Sequence, residues 1–299
     1  MLPSYLEKLT PIDLQERAKK LHELQSLCRL CPNECDVNRE EGEVGKCHST
    51  GTVRVSSYGA HYGEEEPLVG AMGSGTIFFA HCNMKCEFCQ NHDISQQSNG
   101  REVKVEELAD IMVSLQNKGC HNLNLVTPTH FVPQIVDALL IAIDRDFQLP
   151  IVYNCGGYES VETLELLKDI VDIYMPDIKY GDDEAAAKYS HIEGYWDIVR
   201  AAVKEMYKQV GVLKLSKKGY AEKGLLVRHL VLPNDAAKSK VVLDFIANEV
   251  SKDTYVNIME QYFPAFKADN HPELERGITE SEYEEVIEHA KLLGLPIHT

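Results

Sequence analysis

The chain has 299 residues, 44% of them hydrophobic and 26% charged, with a formal net charge of -17. That length allows one or two domains burying roughly 75% of the unfolded surface, and the composition is that of a soluble globular protein. The acidity excludes a nucleic-acid or anionic-membrane partner, which needs surplus lysine and arginine, and no apolar run reaches the roughly 18 residues a bilayer requires.

The N-terminus, MLPSYLEKLTPIDLQER, has charges where a signal peptide needs an apolar core, so a cytoplasmic location is expected. Nine cysteines in that compartment stay reduced, and clustered ones then point to metal rather than disulfide. Thr10-Pro11 followed by Leu14, Ala18, Leu21 and Leu24 reads as a capped amphipathic helix that delivers Cys28 near its end. A cysteine-rich segment follows, then a strand at 53–57 and the acidic connector YGEEEPLVG. The reading places a boundary near residue 68, with a helix and a four-cysteine metal-binding domain over 1–68 and an α/β domain over 69–299.

From Thr76 short apolar strands alternate with helical stretches. The strands are expected at 77–80, 123–126, 151–154, 171–175, 225–232 and 255–259. Helices are expected at 105–118, 132–144, 161–169, 196–210 and 236–250, with a C-terminal helix at 279–293. This alternation predicts a parallel sheet of right-handed crossover units. Chemistry in a parallel barrel gathers at the C-terminal strand ends, where HCNMKC, TPTH, NCGGY, MPDIK and VLPN all fall. No internal repeat or low-complexity segment is present.

Cys82, Cys86 and Cys89 are spaced C-x3-C-x2-C on one short loop. Three thiolates can hold three corners of a cubane iron–sulfur cluster, leaving one iron open to a ligand that is not protein. Zinc, with His81 or His92 as a fourth ligand, is the bland alternative. Cys28, Cys31, Cys35 and Cys47 form a complete four-thiolate set that suits either a structural zinc or a second, fully ligated 4Fe-4S cluster. Pro32 and the compact first three ligands favour iron–sulfur. His48 is read as a bystander, and Cys120 and Cys155 as buried thiols.

The pattern C-x3-C-x-aromatic-C, with Phe88 in the aromatic slot, resembles the radical S-adenosylmethionine (radical SAM) superfamily. The runs GSGTIFFAHCNMKCEFCQN, NLVTPTH, IVYNCGGY, DIYMPDIKY, VRHLVLP and MEQYFPAFKA resemble the pyruvate formate-lyase activating enzyme-like group, in its subgroup with an N-terminal cysteine motif. The likeness runs from about Cys28 onward. It implies a partial (β/α)6 TIM-like barrel and a 4Fe-4S cluster on Cys82, Cys86 and Cys89, whose open iron chelates SAM. One-electron reduction then yields a 5'-deoxyadenosyl radical that abstracts hydrogen from a substrate.

The resemblance also implies that Phe88 and the backbone through Gln90 and Asn91 border the adenine. Thr127 and Thr129 stand where a Gly-Gly-Glu motif usually grips the SAM amino group, and a threonine cap on the next helix is the bland reading. Asn154 replaces an aspartate that joins Asp177 around a monovalent cation. Lys179 would pair with the SAM carboxylate, and Arg228 with the carboxylate of SAM or substrate. His229 alternates with Arg228, so only one of them points inward. Gln261-Tyr262-Phe263 stand where a Tyr-His pair is expected.

The implied partners are a flavodoxin- or ferredoxin-type reductant and a protein substrate such as a glycyl radical enzyme. The alternatives are modification of another protein, peptide or small molecule, or a non-catalytic iron–sulfur electron carrier. The carrier requires two fully ligated clusters, and only one four-cysteine set is present. No Ser/His/Asp or nucleotide-phosphate motif competes.

Overall fold

The computed structural model describes residues 2–298. A short helix α1 (Ser4–Lys8) precedes α2 (Pro11–Ser26), which starts as its sequence dictates. The Thr10 side chain accepts from Asp13 N, the Asp13 side chain accepts from Thr10 N, and Pro11 takes the first helical position. Leu14, Ala18 and Leu21 form the buried face.

After the cysteine-rich segment come β1 (Val53–His61), a single turn α3 (Glu66–Val69), β2 (Ser74–Phe79), α4 (His92–Ser95) and β3 (Arg101–Val103). The repeating units then follow: α5 (Val105–Asn117), β4 (Leu123–Val126), α6 (Val132–Ile143), β5 (Ile151–Cys155), α7 (Val161–Leu167) and β6 (Ile173–Pro176). Next are α8 (Asp183–Ser190), α9 (Tyr195–Val210), β7 (Lys214–Leu215), β8 (Ala221–Leu230) and α10 (Ser239–Phe245). The chain closes with β9 (Tyr255–Met259), α11 (Glu280–Leu293) and β10 (Ile297–His298).

The sheet order is β10-β9-β8-β6-β5-β4-β2-β1-β3. Each neighbouring pair from β2 through β4, β5, β6, β8 and β9 to β10 is parallel. The α/β architecture with a mostly parallel sheet is therefore the one expected, and its six anticipated strands appear in order. The helix expected at 236–250 starts at Ser239 and ends in a π-helical turn over Ile246–Val250. β1 adds antiparallel to β2, and β3 to β1. The boundary expected near residue 68 thus falls between two strands that pair with each other, and one core cluster joins Tyr5 and Leu14 to Val286 and Ala290.

Side chains alternate across the strands. On β5, Ile151, Tyr153 and Cys155 belong to the core beneath the helices, whereas Val152 faces the barrel interior. There Leu68 of α3 packs, fully buried, against Val152, Ile173, Met175, Ala221 and Leu226. Burial of one leucine is worth about 1.5–3 kcal/mol, so α3 is a fixed plug at the N-terminal end of the barrel. Among the described residues no helix is long and apolar enough to cross a membrane.

Candidate active site

A cavity of about 730 Å³ opens at the C-terminal ends of the parallel strands. Cys82, Cys86, Phe88, Cys89, Gln90 and Asn91 line it from the loop after β2, and Thr127, Asn154, Asp177, Lys179 and Arg228 line it from the strands beyond. Nearly every barrel residue singled out in the sequence thus meets at one place.

The cysteine loop is held from several sides. Gln96 Nε2 donates to Cys86 O over 2.9 Å, Glu87 N to Tyr189 O over 2.8 Å, and Lys267 N to Glu87 O over 2.8 Å. Phe88 meets Tyr180 and Tyr262 edge to face, with ring centroids 6.1 and 6.0 Å away. Gln90 Nε2 donates to Gln261 O over 2.9 Å.

Each of the three sulfurs has a polar neighbour. Met84 N donates to Cys82 Sγ over 3.4 Å and Ser190 Oγ to Cys86 Sγ over 3.0 Å, while Cys89 Sγ lies 3.2 Å from Ser95 Oγ. All three are free cysteines. Burial pushes the Cys86 thiol up to about 11 and Cys82 higher still, with Lys179 opposing the shift at both, so metal binding rather than the apo environment must deprotonate them. Among the described residues, no three Cys, His, Asp or Glu side chains are arranged to hold one metal ion. In a cubane each thiolate takes a different iron, so three hydrogen-bonded thiols around one cavity fit a cluster.

Across the cavity, Thr127 has φ 56°, a left-handed conformation that costs a β-branched residue about 1–3 kcal/mol and recurs at functional sites. Its N–H donates to Asn154 O over 2.8 Å. Lys179 Nζ is ion-paired with Asp177 Oδ2, whereas the buried Asp177 Oδ1 has no partner among the described residues. Burial opposes the Lys179 charge, but Asp177 and Cys86 outweigh it and hold the ammonium above its ordinary range.

Arg228 is engaged by residues that the sequence did not single out. Its Nε donates to Glu65 Oε1 over 2.7 Å, and its Nη2 donates to Glu65 Oε2 and to Glu64 Oε2, each over 2.6 Å. His61 Nδ1 lies 2.8 Å from Glu64 Oε1. These glutamates belong to the connector before α3, whose local pattern reads only as a solvated acidic stretch. His229 turns to the helix side, bonded to Ile178 O and Ser239 Oγ over 2.7 and 2.8 Å.

Thr129 does not line the cavity and does not cap α6. Its Oγ1 donates over 2.7 Å to Glu159 Oε1, whose partner oxygen accepts from Tyr153 OH over 3.0 Å. Burial pushes Glu159 up to about 7, against the hydrogen bonds from Thr129 and Tyr153.

The N-terminal cysteines sit beside this site. Cys28, Cys31 and Cys47 are buried and Cys35 is half-buried. Lys46 N donates to Cys35 Sγ over 3.3 Å, and Arg39 Nη1 reaches Cys28 Sγ at 3.9 Å. Asn33 Nδ2 donates to Asn83 O over 2.8 Å and lies 3.6 Å from Cys31 Sγ.

The family model described as "Radical SAM superfamily" matches residues 76–233, more than half of the chain. The chain is 32% identical over 306 residues to the uncharacterized protein MJ0674 of Methanocaldococcus jannaschii, covering 98% of this chain and 82% of the relative. A second uncharacterized protein of that organism, MJ0808, is 23% identical over 276 residues, covering 85% of this chain and 75% of the relative. Among solved structures, a radical SAM methyltransferase from Sphaerobacter thermophilus is similar with a TM-score of 0.51 at 11% identity, covering 75% of this chain. The match spans 65% of that methyltransferase, less than two thirds, and at this identity the likeness concerns the fold alone. Motif, barrel and family match agree: the chain belongs to the radical SAM superfamily.

Proposed function

We propose that the chain is a cytoplasmic glycyl radical activase, a radical SAM enzyme that removes a hydrogen atom from a glycine of a partner enzyme. Membership of the superfamily implies a 4Fe-4S cluster and SAM, here on Cys82, Cys86 and Cys89. When bound and reduced by one electron from a flavodoxin- or ferredoxin-type donor, they supply a 5'-deoxyadenosyl radical.

The observation that carries the radical SAM part of the reading is the convergence, in one cavity, of three hydrogen-bonded thiols with Lys179, the unpaired Asp177 Oδ1 and Thr127. The glycine substrate rests on the sequence resemblance to the activating enzymes. In this reading Lys179 binds the SAM carboxylate by a charge-assisted contact, and Phe88 walls off the adenine from water. Thr127 offers acceptors to the SAM amino group. Asp177 Oδ1 and Asn154 are the oxygens left for a monovalent cation. About 730 Å³ lies within the 300–1,000 Å³ range of ligand sites.

The four N-terminal cysteines are proposed to hold a second 4Fe-4S cluster. A structural zinc, the competing occupant, would require them to draw together on one ion, an arrangement not present among the described residues. Support comes from Asn33, which joins Cys31 to the loop of Cys82.

Anaerobic reconstitution with iron, sulfide and zinc counts, followed by SAM and reductant, tests this reading. Formation of 5'-deoxyadenosine is expected, with loss of it in Cys86→Ala, and its absence in the native protein rejects radical SAM chemistry. Electron paramagnetic resonance with candidate glycyl radical enzymes then decides the substrate. A 5'-deoxyadenosine signal without any glycyl radical turns the assignment to another protein, peptide or small molecule.

A further inference from the structure

The floor of the cavity, between the cysteine loop and the α3 plug, carries groups to which the proposed function assigns no role. Arg228 and Asn257 lie directly opposite each other on β8 and β9. Glu65 Oε1 accepts from both, 2.7 Å from Arg228 Nε and 2.7 Å from Asn257 Nδ2. A carboxylate only accepts, so the Asn257 amide must turn its nitrogen toward Glu65 and its Oδ1 away. Arg228 uses Nε and Nη2 on Glu64 and Glu65, and its Nη1 has no hydrogen-bond partner among the described residues. Both residues line the cavity, together with Asn154.

The floor therefore offers a guanidinium donor edge beside an amide acceptor, each fixed by the same carboxylate. A carboxylate ligand is a poor occupant. Glu64 and Glu65 already set two carboxylates against the Arg228 guanidinium, with only the His61 ring on the far oxygen of Glu64, and in a buried site their repulsion of a third carboxylate is weakly screened. The Asn257 oxygen would also face the ligand's oxygens. A secondary amide is complementary to both positions, because its carbonyl accepts from Nη1 and its N–H donates to Oδ1.

We propose that this floor is a subsite for a secondary amide, the peptide group of a polypeptide substrate, with Arg228 Nη1 as donor, Asn257 Oδ1 as acceptor and Glu65 as their positioning residue. This deepens the function proposed above by assigning the residues that would receive the substrate's peptide group, and rests on it only in taking the cavity as the substrate site. It also inverts the role that the sequence resemblance implies for Arg228, from carboxylate receptor to amide donor.

The test is ligand titration of the holoenzyme, SAM-loaded and with its cluster oxidised, followed by the ¹³Cζ resonance of Arg228. That resonance is assigned by its loss in Arg228→Lys. The probes are N-acetylglycine N-methylamide and acetate. The capped glycine should shift the resonance at about tenfold lower concentration than acetate. In Glu65→Gln the two probes should become equivalent, because the excess negative charge is gone and the fixed donor–acceptor pair is loosened. A purely structural role for Glu65 would lower stability without altering that ratio. Acetate acting as strongly as the amide in the native protein, no response to the capped glycine, or an unchanged ratio in Glu65→Gln would each overturn the proposal. None of these readouts depends on SAM cleavage, so failure here is separable from failure of the radical chemistry.

Discussion

Asn33 Nδ2 donates to the carbonyl of Asn83 across 2.8 Å, joining the N-terminal cysteine segment to the residue that follows Cys82. Asn83 is itself 3% exposed and donates through Nδ2 to Tyr158 O over 2.7 Å. The segment before residue 53 thus braces the cysteine loop rather than hanging from it.

Replacing Asn33 by leucine removes the donor and leaves the Asn83 carbonyl unsatisfied, at a cost of about 1 kcal/mol. For a chain of this size that lowers the melting midpoint by about 2–4 °C. Iron retained at the Cys82 loop after gel filtration should fall with it. A variant with native melting and native iron content would show that the brace is idle.

Ser190 Oγ donates to Cys86 Sγ over 3.0 Å and pairs with Tyr180 OH at 2.6 Å. A donor on a cluster sulfur stabilises the more negative, reduced state. Ser190→Ala should therefore lower the midpoint potential. A differential of about 1 kcal/mol corresponds to about 40 mV for a one-electron couple, given 59 mV per tenfold change. A redox titration followed by electron paramagnetic resonance reads the shift, and an unchanged or higher potential would contradict it.

Much of this site was legible because it is periodic. Short apolar runs at fixed spacing marked the six parallel strands, and strand ends are where a parallel barrel keeps its chemistry. Alternation also separated Arg228 from His229, which the fold sends to opposite sides. The rest depended on pairing at a distance. Glu64 and Glu65 reach Arg228 from more than 160 positions away in sequence, and nothing in YGEEEPLVG distinguishes buried carboxylates from solvated ones. The antiparallel addition of β1 to β2 was likewise invisible, because its register is set by the partner strand. Thr129 misled for a related reason: its hydroxyl is claimed by Glu159, thirty residues on.

Arg228 is engaged by Glu64 and Glu65, and the proposed function gives the SAM carboxylate to Lys179, which Asp177 holds at the cavity wall. Lys179→Met should raise the SAM dissociation constant roughly 10–100-fold, the equivalent of a charged hydrogen bond worth about 1.5–3 kcal/mol. Arg228→Met acts chiefly on stability. It strands two buried carboxylates and should cost about 3–5 kcal/mol in denaturant unfolding. Equilibrium dialysis with labelled SAM checks the first expectation, and unchanged SAM affinity in Lys179→Met would refute the assignment.

Glu159 gives a pH signature with a definite sign. Burial pushes it from 4.5 to about 7, against the hydrogen bonds from Thr129 and Tyr153. The folded chain therefore holds this proton between those values while the unfolded chain has lost it, so stability falls as pH rises through that window. At 1.36 kcal/mol per pH unit the loss approaches about 3 kcal/mol and is complete above pH 7. His81 and His130 act in the opposite sense. Burial depresses them to about 4 and about 3, so below their ordinary range the unfolded state takes up the protons and stability rises with pH. The two effects overlap in the native protein and separate only by difference. Glu159→Gln keeps an acceptor for Thr129 and removes the titration, whereas the histidines stay common to both proteins. The difference in unfolding free energy, native minus variant, should fall between pH 4.5 and 7 and stay level above. A difference that is flat across that window would mean that Glu159 is ionised in the fold at all these pH values.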